Sequence, residues 1–363
     1  MTKVLVITGR GFQTELADCC AYDFENAIVD ATGGDLFIAK EGLKPPGEHY
    51  DLVIVVGINF RKLATIYMLA GRPRGTHTIG YVFGGYGSHT TRYRSPVKRV
   101  LNPRYRALAR MDRIFVGIEN SVEKITRDLS IETTYLPMAA NVLEISARPF
   151  KSGVDRPIAI SGFGRQHTET AEALCDRFNR PESDTLFFHN TASGGASAPD
   201  RERYRATFWQ ILRKSQISLA FDHFHANRNN AAEHSYVGPR WFEGLAAGAV
   251  IVGKAPPSPD KARLLNWADS TIELPDDPAE APEFVAQLLA DPERLRAASK
   301  ANLIGMLRQN DWRHRLAEIF EQIGLSRGAR FDERLAELDA RANQLDTDIN
   351  IGKQDQVEKI SML

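Results

Sequence analysis

The chain has 363 residues, with 46 basic and 46 acidic side chains, so its zero net charge gives no global argument for a nucleic-acid or acidic partner. Hydrophobic residues make up 43% and charged residues 25%, the balance of a soluble globular protein long enough for two cores. No apolar run approaches the roughly 20 residues that span a bilayer. The cysteines Cys19, Cys20 and Cys175 form neither a CxxC pair nor a disulfide framework, which predicts a reduced, cytoplasmic setting.

Short continuous apolar runs alternate with helical patterns through most of the sequence. Such runs predict parallel strands that are buried on both faces. The predicted strands are 3–8, 35–40, 51–57, 77–83, 113–117, 133–137, 157–162, 185–189, 216–221, 249–253 and 270–274. The predicted helices are 60–71, 120–129, 167–178, 200–215, 238–248, 279–290, 292–308 and 311–322. The first strand, at the start of the sequence, lacks the length and cleavage site of a signal peptide.

A polar stretch with two prolines and a glycine, "ISARPFKSGVDRP" (145–157), separates two strand–helix series and has the composition of a linker. Two such series predict an α/β protein with two doubly wound, Rossmann-like domains facing a cleft. We predict an N-terminal domain over 1–148, a second domain over 156–322 and a helical tail over 323–363. Ligands in doubly wound sheets lie beyond the carboxyl ends of the strands, so the loops after strands are the main functional candidates.

The stretch "YVGPRWFEGLAAGAVIVG" (236–253) begins with a helix-starting glycine–proline pair and ends in an apolar strand. Arg240 and Glu243 are one turn apart and share a helix face. The free N–H groups of a helix N-terminus, together with Arg240, are suited to a phosphate, and Glu243 is suited to sugar or ribose hydroxyls. A surface ion pair within the helix is the alternative interpretation.

This R-x-x-E helix start, with Phe242, Gly248 and "VIVG", resembles the C-terminal domain of GT-B-fold glycosyltransferases. It looks most like the group of CgeB-like proteins within the glycosyltransferase family 1/4-like set. Residues 276–320, which contain "DWRHRL", resemble the terminal helices of that group, and "ETTYLPMAAN" (132–141) resembles the strand and turn that close its first domain. The resemblance implies a hexosyltransferase-type enzyme that moves a sugar from a nucleotide diphosphate sugar to an acceptor hydroxyl, in surface polysaccharide or glycoconjugate synthesis.

The resemblance also implies roles for the second domain, which would hold the donor without a cofactor or a metal. Arg240 and Arg165 would lie near the diphosphate and Glu243 on the ribose. Many retaining members carry a second glutamate eight residues before the ribose-binding one, where this sequence has Ser235. A retaining or inverting mechanism therefore stays open. Two alternatives remain, an inactive GT-B module that serves an assembly complex and a nucleotide-sugar epimerase.

Two glycine-rich loops follow predicted strands. In "SGFGRQHTE" (161–169), Gly162 and Gly164 allow a tight turn with close backbone approach, and Arg165 is placed to meet a diphosphate; a plain strand-to-helix turn is the alternative. The loop "FGGYGSHTTRYR" (83–94) supplies the candidate acceptor-side residues Gly85, Gly87, Ser88 and His89. In an inverting transferase His89 would deprotonate the acceptor hydroxyl. A loop histidine without a partner is the alternative.

Two further stretches, 92–113 and 222–230, carry candidate ligand contacts. Residues 92–113 hold eight basic side chains and one acidic side chain, Asp112. This charge favours binding to an anionic partner, such as a lipid-linked acceptor at the inner membrane face. A solvated helix face is the alternative. Saccharide and protein acceptors remain open, and no nucleic acid is expected. In "DHFHANRNN" (222–230), Asp222, His223 and His225 invite a metal interpretation, but we favour a nucleotide or sugar contact for His223.

The tail carries an apolar stripe at heptad spacing on an otherwise charged helix. Its members are Phe331, Leu335, Leu338, Ala342, Leu345 and Ile349. An exposed stripe of this kind would be a liability in water, so it is expected to be covered. We favour self-association through 331–349, with packing onto the chain's own domains as the alternative.

Overall fold

The fold is known here from a computed structural model, which describes residues 2–12, 15–84, 97, 101–146, 155–164, 166–190, 200–222 and 235–361. For residues 190 and 348–361 only the backbone is described. The described chain contains two parallel sheets, one built before residue 136 and the other after residue 157.

The first sheet has six parallel strands in the order β2-β1-β3-β4-β5-β6. They are β1 (Val4–Thr8), β2 (Asp35–Ile38), β3 (Leu52–Gly57), β4 (His77–Val82), β5 (Arg113–Val116) and β6 (Thr133–Tyr135). The second sheet has five parallel strands in the order β11-β10-β9-β7-β8. They are β7 (Ile158–Phe163), β8 (Phe187–Asn190), β9 (Ser215–Phe221), β10 (Val250–Lys254) and β11 (Ile272–Glu273). The predicted strands and the α/β architecture of two parallel sheets are confirmed.

Helices connect the strands, as parallel pairing requires. The described α-helices are α1 (Cys20–Thr32), α2 (Phe60–Leu69), α3 (Pro103–Leu108), α4 (Val122–Leu129), α5 (Val142–Ile145), α6 (Thr168–Phe178), α7 (Arg201–Lys214), α8 (Pro239–Ala246), α9 (Pro259–Leu264), α10 (Ala281–Leu289), α11 (Pro292–Gln309), α12 (Trp312–Gln322) and α13 (Ala329–Ser361). The sequence patterns above do not predict α1, α3, α5 or α9. None of the described helices combines the length and apolar character needed to cross a bilayer.

The helix α12 ties the second half of the chain to the first sheet. Its first residue, Trp312, packs its ring against Phe24 of α1 and Tyr81 of β4, with ring centroids 4.5 and 5.6 Å apart. Just before it, Ala140 and Asp311 form an isolated parallel bridge. One buried hydrophobic cluster consequently includes residues from both sheets and the last two helices.

The tail helix α13 packs within the chain. Phe331, Leu338 and Ala342 are buried, and Leu335 and Leu345 lie half-buried against the same cluster. The helix contacts α1, α11 and α12. The favoured interpretation of this stripe as a self-association seam is therefore wrong for Phe331, Leu338 and Ala342, because the chain itself buries them. Self-association of the protein stays a prediction. The side chain of the sixth member, at position 349, lies outside the described residues.

Candidate functional site

The second sheet has a topological switch point between β7 and β9. The strand β8 lies on one side of β7, whereas β9, β10 and β11 extend from the other. In open parallel sheets, ligands bind in the crevice beyond the carboxyl ends of the strands at such a point. Gly164 directly follows β7, Asp222 directly follows β9, and α8 comes next along the described chain. This crevice is the candidate site.

Gly164 forms the turn after β7 with a φ of +70°, the left-handed region that favours glycine. A Cβ at this position would lie 3.4 Å from Arg240 Nε and 3.5 Å from Nη2, so the guanidinium lies directly against the turn. Gly162 is different, because it lies within β7 and a Cβ there would make ordinary contacts of 3.5 Å with Gln166 and Phe187. The tight turn is therefore at Gly164, whereas Gly162 belongs to the strand, and the close approach of both to a ligand stays a prediction.

Arg240 and Glu243 form the ion pair that their spacing predicts. Arg240 Nη1 donates to Glu243 Oε2 at 2.6 Å. Glu243 is 3% exposed, whereas the side chain of Arg240 is 39% exposed. The pair is therefore not an ordinary surface pair, since the carboxylate is buried and the guanidinium reaches out to the glycine turn.

A second arginine, Arg205 of α7, completes the site and has no local sequence signature. Its Nη1 lies 2.6 Å from Glu243 Oε1, on the carboxylate oxygen that Arg240 leaves open. Its Nε and Nη2 donate to the two carboxylate oxygens of Asp23 in α1. The guanidinium carbon lies 4.7 Å from the ring centroids of both Phe208 and Trp209. The one available signal in the sequence is a charge on the apolar face of "RYRATFWQ", three and four residues before these aromatic residues.

The charges in this network balance, because Arg205 and Arg240 face Asp23 and Glu243. Burial raises the pKa of Asp23, and the adjacent Arg205 opposes that rise. The two carboxylates also raise the pKa of Arg205 against the desolvation that lowers it. Each oxygen of Glu243 has a second lone pair, so the carboxylate can accept a hydroxyl of a ligand while both arginines stay bound.

The N-terminus of α8 lies beside these side chains. Gly238 is the N-cap residue and has no side chain to cap the helix, and Pro239 is in the first turn. The N-terminal amides of a helix carry a partial positive charge and suit an anion. Arg240 belongs to the same turn. The crevice therefore brings together the N-terminus of a helix, a partly exposed guanidinium and a carboxylate.

The loop after β9 begins at Asp222, which is buried and accepts from Ser235 Oγ at 3.4 Å. Ser235 stands at the position where the resemblance implies a second glutamate. Its hydroxyl therefore donates to a neighbouring carboxylate, that of Asp222. Among the described residues there is no cluster of three metal-ligating side chains. His223 and His225, the other members of the metal interpretation, lie outside the described residues.

Several predicted site residues also lie outside the described ranges and stay predictions. They are Gly85, Gly87, Ser88, His89 and Arg165. Of the basic stretch, residues 92–96 and 98–100 are likewise outside them. Arg113, at its end, forms an ion pair with Glu132 and donates to Gln322 Oε1 at 3.0 Å, so Arg113 is not a free cation.

A pocket of about 500 Å³ lies in another part of the molecule, at α1, α5 and α13. Asp30, Arg313, Arg334 and Arg341 are among its lining residues. Arg313 and Arg334 pair with Asp30, and Arg341 donates to Leu143 O. Neither Gly164 nor the Arg205–Glu243 network lines this pocket, so it is separate from the candidate site.

Glu25 of α1 is a buried carboxylate next to the contact between the two halves of the chain. Arg10 Nε donates to Glu25 at 2.8 Å and Arg10 Nη1 donates to Glu202 of α7 at 3.1 Å. Burial raises the pKa of Glu25 from 4.5 to about 7, with Arg10 opposing the rise. Between these two values the folded protein holds a proton that the unfolded chain has lost. The contribution of Glu25 to the free energy of unfolding must therefore fall as the pH rises through this window.

We subtract the free energy of unfolding of Glu25→Gln from that of the wild type. Between pH 4.5 and 7 we expect this difference to decrease by about 3 kcal/mol. Urea denaturation of both proteins at four pH values measures it, and the variant serves as the non-titrating reference. A difference that is constant with pH would contradict the raised pKa.

Comparisons with known proteins bear on the family and the fold. Residues 178–321, which include α7 and α8, match the family model described as glycosyl transferase-like. An alpha-glucosyltransferase in complex with UDP has a TM-score of 0.60 and 9% identity, over 89% of this chain and 100% of that chain. The same type of enzyme with UDP and a 13-mer DNA containing an HMU base has a TM-score of 0.55 and 9% identity, over 89% and 99%. Among curated proteins, none matches this sequence. The chain therefore has the GT-B fold; the CgeB-like grouping stays a prediction.

Proposed function

We propose that this GT-B chain is a glycosyltransferase that moves a sugar from a nucleoside diphosphate donor to an acceptor hydroxyl. The observation that carries the proposal is the position of Arg240. Its guanidinium is ion-paired with Glu243 and lies 3.4 Å from the point where a Cβ on Gly164 would be. The family-model match over residues 178–321 supports it independently.

In this proposal the donor occupies the crevice of the second sheet. The diphosphate lies at the N-terminus of α8, against Arg240 and Arg165, and Glu243 accepts from the ribose hydroxyls. Transfer leaves a diphosphate with increased negative charge, which fixed cations and backbone amides stabilise without reorganisation. The guanidinium has five N–H donors, so Arg240 can hold Glu243 and a phosphate oxygen together.

The acceptor is assigned to the first domain. The loop 83–94 begins at the carboxyl end of β4, and we assign His89 as the general base for the acceptor hydroxyl. Gly85, Gly87 and Ser88 are assigned to the acceptor, and His223 to the transferred sugar. The acceptor class we favour is a saccharide or lipid-linked glycoconjugate of surface polysaccharide synthesis.

A panel of UDP-, GDP-, ADP- and dTDP-sugars tests the function, with donor hydrolysis as the readout and EDTA as a second arm. We expect one nucleotide class to be hydrolysed, and hydrolysis to survive chelation because arginines supply the positive charge. His89→Ala is expected to abolish transfer, with the exposed His49→Ala as its control. Loss of activity in EDTA and its recovery with Mn²⁺ would overturn the metal-independent mechanism. Absence of both binding and hydrolysis across the panel would overturn the function.

One observation favours a second candidate function, a nucleotide-sugar-binding module without transfer activity. Ser235 replaces the glutamate that many retaining relatives of this fold carry, and it contacts Asp222 at 3.4 Å. Tight nucleotide binding without hydrolysis or transfer in the same panel would support this candidate.

A further inference from the structure

Arg205 connects the candidate donor site to the first sheet. It belongs to α7, between β8 and β9, and binds Glu243 of α8 at 2.6 Å. The same guanidinium donates to both oxygens of Asp23, which lies on α1 between β1 and β2 of the first sheet. A single side chain therefore bridges a carboxylate from each half of the chain.

The bridge is held in a nearly dry environment. Arg205, Asp23 and Glu243 are each less than a tenth exposed. The rings of Phe208 and Trp209 pack against the guanidinium. Separating buried charges from their partners is costly, so these three charged groups keep one arrangement together.

The surrounding face of α7 makes the same connection. Arg201 Nη2 donates to Arg10 O at 2.8 Å and its Nε donates to Tyr22 Oη at 3.1 Å. Arg10 in turn pairs with Glu202. One face of a second-sheet helix is thus fixed to the loop after β1 and to α1, and Arg205 is the residue of that face that reaches Glu243.

We propose that Arg205 is a positioning residue for Glu243. Through Arg205, the affinity of the site for the nucleotide-sugar donor depends on the contact between the two halves of the chain. The inference rests on the proposed function. Arg205 holds Oε1 of Glu243 and Arg240 holds Oε2, so the two arginines together fix the plane of the carboxylate. Asp23 fixes Arg205 in turn. A change at Asp23 therefore reaches the ribose-binding oxygen through one guanidinium.

The test uses the full-length protein and three variants. Asp23→Asn keeps the size of the side chain and removes the charge that holds Arg205 from the first sheet. Arg205→Lys keeps a positive charge but has no planar fork with which to serve two carboxylates. Arg203→Ala is the matched control, because Arg203 lies on the same helix with its side chain 90% exposed. Nucleotide affinity by calorimetry, donor KM and kcat, and the urea midpoint are measured for each.

We expect Asp23→Asn and Arg205→Lys to weaken nucleotide affinity and raise donor KM by about fivefold or more, with a smaller effect on kcat. Arg203→Ala is expected to bind like the wild type. If Asp23→Asn does not fold, Arg205→Lys carries the test, because it leaves Asp23 in place and keeps a positive charge.

Two results would overturn the proposal in distinguishable ways. Folded Asp23→Asn, or folded Arg205→Lys in its place, with wild-type affinity and KM would remove the positioning role and leave the glycosyltransferase proposal intact. A wild-type protein that binds no nucleotide would remove both. A lowered urea midpoint with unchanged affinity would show that Arg205 is structural only, and would likewise overturn the positioning role.

Discussion

Replacing Arg240 by alanine is expected to weaken nucleoside diphosphate binding by about 10-fold to 150-fold. The reason is that hydrogen bonds to a charged partner typically contribute about 1.5–3 kcal/mol. The side chain of Arg240 is 39% exposed, so the variant is expected to fold. Calorimetric titration with the nucleotide that the donor panel identifies measures the loss, and Arg203→Ala controls for the general removal of a surface arginine.

Glu243 needs a milder substitution than alanine, because it is 3% exposed between two arginines. Alanine would leave Arg205 with one buried carboxylate instead of two, and the resulting loss of stability would obscure any change in binding. Glu243→Gln preserves size and one acceptor oxygen, and we expect a loss of nucleotide affinity in the same direction. If Arg240→Ala and Glu243→Gln both fold and bind nucleotide like the wild type, the site assignment is wrong.

The strands could be predicted from the sequence because parallel strands are buried on both faces. The run "DLVIVVG" shows this, since every residue of β3 within it is buried. The R-x-x-E spacing predicted the Arg240–Glu243 pair for an equally local reason, because residues three apart share a helix face. What the local pattern could not give is the burial of Glu243 and the second arginine, Arg205, that compensates its charge.

The helix α1 shows why the remaining structure was not predictable. Asp23 and Glu25 are buried in it, so its apolar periodicity is interrupted on the face that packs inward. These carboxylates are compensated by Arg205 and Arg10, and Arg205 is 182 residues away from Asp23 in the sequence. A window-based pattern has no access to such a partner. For the tail, the apolar stripe was evident in the sequence. The side chains that pack on it could not be identified, because they come from α1, α11 and α12 and include Phe320.

Asp311 is the position where we expect the largest loss of stability. It lies in "DWRHRL" immediately before α12 and is completely buried. Its Oδ2 accepts from the backbone N–H groups of Val142 and Leu143 at 2.7 and 3.2 Å, and its Oδ1 accepts from Arg313 N at 2.8 Å and Nη1 at 2.9 Å. One carboxylate thus caps α12, holds the start of α5 and compensates a buried guanidinium.

We expect Asp311→Ala to lower the free energy of unfolding by about 3–5 kcal/mol, the cost of breaking a buried ion pair. The matched control is Asp291→Ala, because Asp291 is also an N-cap, accepting from Arg294 N at 3.0 Å, but in an exposed position. Loss of that cap is expected to cost about 1 kcal/mol. Urea denaturation of both variants measures the difference, and Asp311→Asn should fall between them because it keeps one acceptor oxygen. If both variants lost the same free energy of unfolding, Asp311 would only cap its helix. It would then contribute nothing by holding the start of α5 and the guanidinium of Arg313.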